Sequence, residues 1–239
     1  FSFRLLVNNG IDRFAVMDPM NNVAAMRVMA GLTRKAGGSD IVAALTFTLS
    51  PLHDDAHFAD AARALTETGQ FDRLYLKDPG GLVTPERART LIPAIKAAIT
   101  VPLEFHSHCT IGLAPFSYLE GAQLGAETLH TSSSAAANGT GQPAMTPTIA
   151  NLRDLGLTVD VDDEAVAEMD AWFTALARAE GLSHGVPGEF DRSYFRHQMP
   201  GGMMGTMKRQ LAEMKRLHLL PQVLEEVERV RADLGYPIM

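Results

Sequence analysis

Disulfide chemistry has almost no material here: Cys109 is the one cysteine in 239 residues, so no bridge can form within the chain and a cysteine-rich zinc module is excluded. Excess positive charge is also lacking. The formal net charge is -7 and the Lys and Arg residues are scattered, which argues against nucleic acid or an anionic membrane surface as a partner. No apolar run is long enough to span a bilayer, and no basic stretch leading into an apolar core opens the chain. Direct membrane insertion is therefore not expected, and a reducing cytoplasm is the expected setting. No Gly-x-Gly-x-x-Gly follows any apolar run, which weakens a dinucleotide-binding reading. An initiator methionine is missing as well. The chain opens on Phe1-Ser-Phe-Arg-Leu-Leu-Val, which reads as the middle of an amphipathic helix.

What is present is 46% hydrophobic residues arranged in a repeat. Short apolar runs recur at Phe14-Ala-Val-Met, Ile41-Val-Ala-Ala-Leu, Leu74-Tyr-Leu, Leu103-Glu-Phe and Glu127-Thr-Leu, and each ends on a polar residue: Asp18, Thr46, Lys77, His106 and Thr131. These ends lie roughly 25 to 30 residues apart, the length of one strand, one helix and two short loops. Helical patterns fill the gaps, at Val23 to Lys35, Ala56 to Thr68, Pro85 to Ile99 with Thr84 as N-cap, and Leu113 to Leu124. Gly37-Gly38, Gly69 and Gly125 are the expected C-cap glycines. Parallel strands joined by helices build either a doubly wound sheet or a closed barrel. Polar residues at every strand end favour the barrel, because a TIM barrel gathers its active site there.

Beyond the repeat, Asp160 to Ala179 reads as a core-facing helix with Val161, Val166, Met169, Trp172, Phe173 and Leu176 as its apolar stripe. Gly205 to Leu217 and Pro221 to Leu234 read as two further amphipathic helices. The expected organisation is a partial (β/α) barrel over residues 1–182 and a post-barrel loop and helical segment over 183–239. Gly139-Thr-Gly-Gln-Pro reads as a flexible loop, and Met199, Met203, Met204 and Met207 as core filling. His184 and His218 carry no message, while His53 and His57 are expected on a surface loop or helix start.

The sharpest local signal is Phe105-His106-Ser107-His108. A two-residue spacing on a strand puts both imidazoles on one face, about 6.5 to 7 Å apart at Cα, within reach of one metal ion. Two histidines satisfied by backbone carbonyls would read the same way. Cys109 should point to the other face as a packed thiol. Lys77 ends the neighbouring strand. A lysine there needs either loss of its charge, by a lowered pKa or carbamylation, or a carboxylate partner, and Asp78 offers the simple pairing.

Leu76-Lys77-Asp78-Pro-Gly-Gly-Leu82 followed by Leu103-Glu-Phe-His106-Ser-His108-Cys-Thr-Ile-Gly-Leu113 resembles the carboxyltransferase signature of biotin-dependent enzymes of the pyruvate carboxylase and oxaloacetate decarboxylase α subunit family. Thr46-Phe-Thr-Leu-Ser-Pro-Leu-His53, Gly10-Ile-Asp-Arg-Phe-Ala-Val-Met-Asp18, His197-Gln-Met-Pro-Gly-Gly202 and Val230-Arg-Ala-Asp-Leu-Gly-Tyr-Pro237 extend the resemblance over nearly the whole chain. It implies a TIM (β/α)8-type barrel of which strands four to eight are present, and a divalent metal (Zn, or Mn or Co) held by His106, His108, a carbamylated Lys77 and an aspartate from the first strand, upstream of Phe1.

The reaction implied moves a carboxyl group between biotin, carried on another domain or chain, and a small-molecule 2-oxo acid through a metal-stabilised enolate. Lys77, Arg192 and Ser193 are the candidate catalytic residues, and Asp18, Thr46, Thr131 and Gln198 the candidate substrate-binding ones. A homo-oligomer is expected. No Ala-Met-Lys-Met biotinylation site occurs. The sequence departs from the family at Ala15, often Arg in relatives, at Pro79, where they carry Met, and at His130, where they usually have Asp. Arg192 falls where a proton-shuttling Thr or Ser should stand, with Ser193 one residue off. Two rivals share these features: an aldol-type lyase or synthase of the hydroxymethylglutaryl-CoA lyase superfamily, which has His-x-His without the metal-binding lysine, and a non-catalytic scaffold subunit.

Overall fold

The computed structural model describes residues 2–182 and 185–238. Phe1, Ser183, His184 and Met239 lie outside the described residues. After a short helix α1 (Ser2–Asn8), strands and helices alternate: β1 (Arg13–Met17), α2 (Val23–Ala36), β2 (Asp40–Thr46), α3 (Asp55–Thr66), β3 (Arg73–Asp78), α4 (Pro85–Ala98), β4 (Leu103–Ser107), α5 (Ala114–Gln123) and β5 (Thr128–Leu129). The strands form one parallel sheet in the order β1-β2-β3-β4-β5. Sequential order with every connection parallel follows from short right-handed βα crossovers, each laying the next strand beside the last.

The helices start and stop where local chemistry dictates. Asn22, Asp54 and Thr84 cap α2, α3 and α4 by accepting from Ala25, His57 and Arg87 N–H groups, and Pro85 occupies the first turn of α4, where a missing N–H costs nothing. Gly37, at φ 107°, closes α2 in the left-handed conformation that a Cβ disfavours.

One face of the sheet, with Ile41, Ala43, Leu45, Leu74, Leu76, Leu103 and Phe105, packs on Met26, Ala30, Phe58, Ala62, Leu65, Leu91, Ile92, Ile95 and Tyr118 of α2 to α5. The other face carries a separate small cluster, Val42, Ala44 and Tyr75. Helices gathered on a single face are the outer layer of a TIM-barrel-like fold; a doubly wound sheet would be covered on both sides.

Past β5 come α6 (Met145–Asp154), α7 (Asp163–Ala179), α8 (Tyr194–His197), α9 (Gly201–Glu213), a 3-10 turn (Leu217–Leu219) and α10 (Leu220–Asp233). Helix α6 has no counterpart in the sequence reading, because its short polar pattern carries Pro147 in the first turn. The expectation that α7 faces the core is overturned. Val161, Trp172, Phe173 and Leu176 are exposed, Trp172 by 59%, and Ala177 is the helix's one buried residue among those described. The sheet ends at β5, so no further strand lies beneath that stripe among the described residues. The methionines divide as well: Met199 and Met204 are buried, but Met203 is exposed. No described helix is long and apolar enough to cross a membrane.

Candidate active site

Strand register assembles the site. Thr46, Lys77 and His106 are successive Cα partners across β2, β3 and β4, so their side chains stand at one level on the face opposite the helices. His108 follows two residues after His106 on the same side, and the two Nε2 atoms lie 3.2 Å apart. Two imidazole nitrogens bound to one tetrahedral ion, each at about 2.0 to 2.1 Å, lie roughly 3.3 to 3.4 Å apart, so the pair has the separation a shared cation requires.

His108 Nδ1 is 2.6 Å from the Thr140 carbonyl oxygen. A carbonyl only accepts, so His108 donates from Nδ1 and keeps its Nε2 lone pair for the site. Burial, followed by the nearby His108, His130 and Lys77, pushes the His106 pKa down to about 3, which keeps that ring neutral as a ligand must be. Among the described residues no three His, Cys, Asp or Glu side chains converge as a metal cluster, and what the chain places together here is two imidazoles with Lys77 beside them.

Lys77 is half-buried, its Nζ lies 2.6 Å from Met17 Sδ, and burial lowers its pKa. The simple Lys77–Asp78 pairing is not formed. Consecutive strand residues point to opposite faces, and Asp78 is fully buried on the helix side, where its carboxylate accepts from Leu82 N–H (2.9 Å), Val83 N–H (2.8 Å) and Ser107 Oγ (2.7 Å). Asp78 thus fixes the turn that brings Gly81 against the His108 backbone. Gly81 sits at φ 69°, and a Cβ there would collide with the His108 carbonyl. Among the described residues no carboxylate pairs with Lys77. Cys109 is buried as expected, and burial pushes its thiol up to about 12.

Other predicted residues divide. The buried Thr46 hydroxyl has no hydrogen-bond partner, an orphaned polar group at the level of Lys77, while its backbone is clamped by the Asn21 amide. Asp18 Oδ1 accepts from Met20 and Asn22 N–H groups and shapes the turn after β1. Thr131 lines a cleft with Thr128, Met145 and Thr148, away from the imidazoles. Gln198 is buried, and its amide is engaged on Thr48 Oγ1 (3.0 Å), Leu49 N–H (2.8 Å) and Leu49 O (2.7 Å). Arg192 is exposed beside Phe190, Phe195 and Arg196. Ser193 Oγ lies 3.4 Å from His197 Nε2. Among the described residues no hydrogen bond joins Arg192, Ser193 or Gln198 to Lys77, His106 or His108.

The sequence reading assigned no site role to the residues that surround the imidazoles, though it marked His130 as a departure from the family. Gln142 Nε2 is 3.4 Å from both His106 Nε2 and His108 Nε2, so the loop read as merely flexible supplies a side chain and, at Thr140, an orienting carbonyl. On the far side His130 Nδ1 is 3.1 Å from His106 Nδ1, and His130 Nε2 is 2.9 Å from Glu104 Oε2. Burial opposes ionisation of Glu104, but the hydrogen bond from His130 and the charge of Arg13 outweigh it and hold the carboxyl below its ordinary value. The available signal was Glu104 itself, an acid inside an apolar strand.

Known proteins resemble this chain in sequence and fold. The family model described as HMGL-like matches residues 17–172, and the one described as a conserved carboxylase domain matches residues 195–239. The chain is 34% identical over 230 residues to a pyruvate carboxylase subunit of Methanocaldococcus jannaschii, with 96% of this chain and 40% of the relative covered. It is 29% identical over 231 residues to the methylmalonyl-CoA carboxyltransferase 5S subunit of Propionibacterium freudenreichii subsp. shermanii, covering 96% of this chain and 45% of that subunit. In fold it matches the carboxyl transferase domain of Rhizobium etli pyruvate carboxylase with pyruvate, at a TM-score of 0.90 and 23% identity, over 99% of this chain and 41% of that one. The chain thus spans less than half the length of these curated relatives. It belongs to the HMGL-like family, whose model matches well over half of its residues.

Proposed function

We propose that this chain is the metal- and substrate-binding part of a biotin-dependent carboxyltransferase that moves a carboxyl group between carboxybiotin and the methyl carbon of a 2-oxo acid of the pyruvate or oxaloacetate type. The observation that carries this reading is the His106–His108 Nε2 pair, 3.2 Å apart, with Lys77 on the adjoining strand. The names of the relatives share carboxyl transfer, which supports the reaction class. Residues 1–182 would supply strands four to eight of an eight-stranded barrel and 183–239 the post-barrel segment.

A divalent cation such as Zn, Mn or Co, bound by both imidazoles, would supply Lewis-acid stabilisation of the negative charge that develops on the keto oxygen as the methyl carbon loses its proton. The chain's own groups do the rest. Burial keeps a share of Lys77 as neutral amine, which can attack carbon dioxide: the N–C bond forms, one N–H proton leaves, and the resulting carbamate is an anionic oxygen donor beside the imidazoles. Thr46, with its unpartnered hydroxyl, is available to the substrate's carboxylate. For proton transfer we propose Ser193, with Arg192 beside it. Gln198 serves to dock the post-barrel segment, and Asp18 and Thr131 shape the strand-end loops. Biotin would arrive from outside these residues, in an assembly of several copies in a reducing compartment that suits the single buried thiol.

The test is Lys77→Ala in the assembled enzyme, assayed for biotin-dependent decarboxylation of oxaloacetate. Activity should fall by about 100-fold or more, and intact mass of the unsubstituted chain kept under carbon dioxide should show one added CO2 at Lys77. Full carboxyl transfer by the variant would overturn the reading and favour an aldol-type lyase, which needs no lysine there. Loss of stoichiometric metal together with no turnover of 2-oxo acids would favour a scaffold.

A further inference from the structure

His130 lies outside the pair assigned to the metal, yet both nitrogens of its ring are engaged at the site. Its Nε2 meets Glu104 Oε2 at 2.9 Å and its Nδ1 meets His106 Nδ1 at 3.1 Å. The ring sits between Tyr75 and His106, with centroids 5.1 and 5.3 Å away, and the Tyr118 hydroxyl donates to the His130 carbonyl at 2.6 Å. Glu104 is buried and ion-paired to Arg13 and, at 3.8 Å, to Arg73, so it stands in the site as a carboxylate with nothing to donate.

The proton positions then follow one another along the strands. A carboxylate only accepts, so His130 donates from Nε2, and a neutral His130 is left with a lone pair on Nδ1. His106 must donate to that lone pair from its own Nδ1. Its Nε2, the atom 3.2 Å from His108 Nε2, is then bare. We propose that His130, oriented by Glu104, is a positioning residue that fixes His106 in its Nδ1–H tautomer, so that His106 and His108 turn two bare Nε2 atoms toward one cation. This rests on the metal reading above and names the residues that make it possible. His108 reaches the same state by a separate device, the Thr140 carbonyl. Two lone pairs facing each other at this distance repel, and the described donor that reaches both is the Gln142 amide at 3.4 Å. A cation relieves that repulsion, and the Glu104 charge relayed through His130 makes His106 a stronger ligand.

The test compares the full chain with His130→Ala and His130→Asn. The Asn side chain can place its Oδ1 near where Nδ1 stood and still accept from His106, whereas Ala cannot. Nitrogen NMR of the metal-free protein at neutral pH should show His106 protonated at Nδ1 in the unsubstituted chain and in His130→Asn. In His130→Ala it should shift toward the Nε2–H form, with His108 unchanged as an internal check that the strand end is folded. Cobalt(II) titration should show affinity about 10- to 100-fold weaker in His130→Ala and largely restored in His130→Asn. An Nδ1–H tautomer that persists in His130→Ala, or an Nε2–H tautomer in the unsubstituted chain, overturns the proposal. If the tautomers behave as stated but no cobalt binds to any form, the metal reading fails and the positioning role of His130 stands.

Discussion

Lys77 and Asp78 are adjacent in sequence and do unrelated things. Alternation along β3 turns the lysine toward the site and the aspartate toward the helices, where three donors converge on it: two backbone N–H groups and Ser107 Oγ. Removing that carboxylate would leave all three donors buried and unpaired, at about 1 to 3 kcal/mol each when nothing replaces it. Asp78→Ala is therefore expected to lower unfolding free energy by about 3 kcal/mol or more, measured by urea denaturation, and a loss under about 1 kcal/mol would show that the turn does not depend on it. The pair also marks how far single residues were legible. The shared direction of His106 and His108 could be read from their two-residue spacing, whereas the residues around Lys77 suggested a pairing with Asp78 that is not formed, and its place beside the imidazoles came with the family resemblance. Glu104 left a signal as an acid in an apolar strand and His130 one as a departure from the family, but their pairing acts across strands, and Gln142 and Thr140 act from a loop whose path no local pattern specifies.

At the scale of elements, the five strands and α2 to α5 were legible because each carries its own punctuation: a capping side chain at the start, a glycine or polar stop at the end, and an apolar period between. Where punctuation is weak, the reading slipped. Helix α6 went unseen, and α9 begins at Gly201 rather than Gly205 because Pro200 starts the helix while both following glycines are carried into it. The post-barrel segment shows why an isolated motif was hard to place. Gln198 and Arg231 come from distant parts of that segment and meet at Thr48, just past β2, where Arg231 donates to the hydroxyl at 2.7 Å and the hydroxyl donates on to Gln198 at 3.0 Å. Arg231 also donates to the Pro237 carbonyl at 2.9 Å, so this buried cation ties the chain's last turn to the sheet. Gln198→Ala would strand the Leu49 backbone groups and cost about 1 to 3 kcal/mol. The expected readout is faster protease cleavage in the stretch from 185 to 196, with the strands untouched; an unchanged digestion rate would mean that the segment is held by its apolar contacts alone.

For the molecule as a whole, the decisive feature is a sheet with two edges and one covered face. Strand β1 ends the sheet on one side, and its site-facing residue Met17 is 47% exposed. On the other side α7 presents Trp172 and Phe173, the first 59% exposed, in edge contact at 4.8 Å with each other rather than with a core. An unpaired strand edge and an aromatic patch are both templates for association. The 239-residue chain taken by itself is therefore expected to associate, with a second copy or with any complementary surface. Sedimentation velocity should show mass rising with concentration, and Trp172→Gln combined with Phe173→Gln should reduce that rise while leaving the circular dichroism of the βα repeat intact. Those substitutions sit far in sequence from Lys77, His106 and His108 and remove no hydrogen bond of the site. A chain that stays monomeric at every concentration, before and after substitution, would show that neither the β1 edge nor the α7 stripe is an association surface.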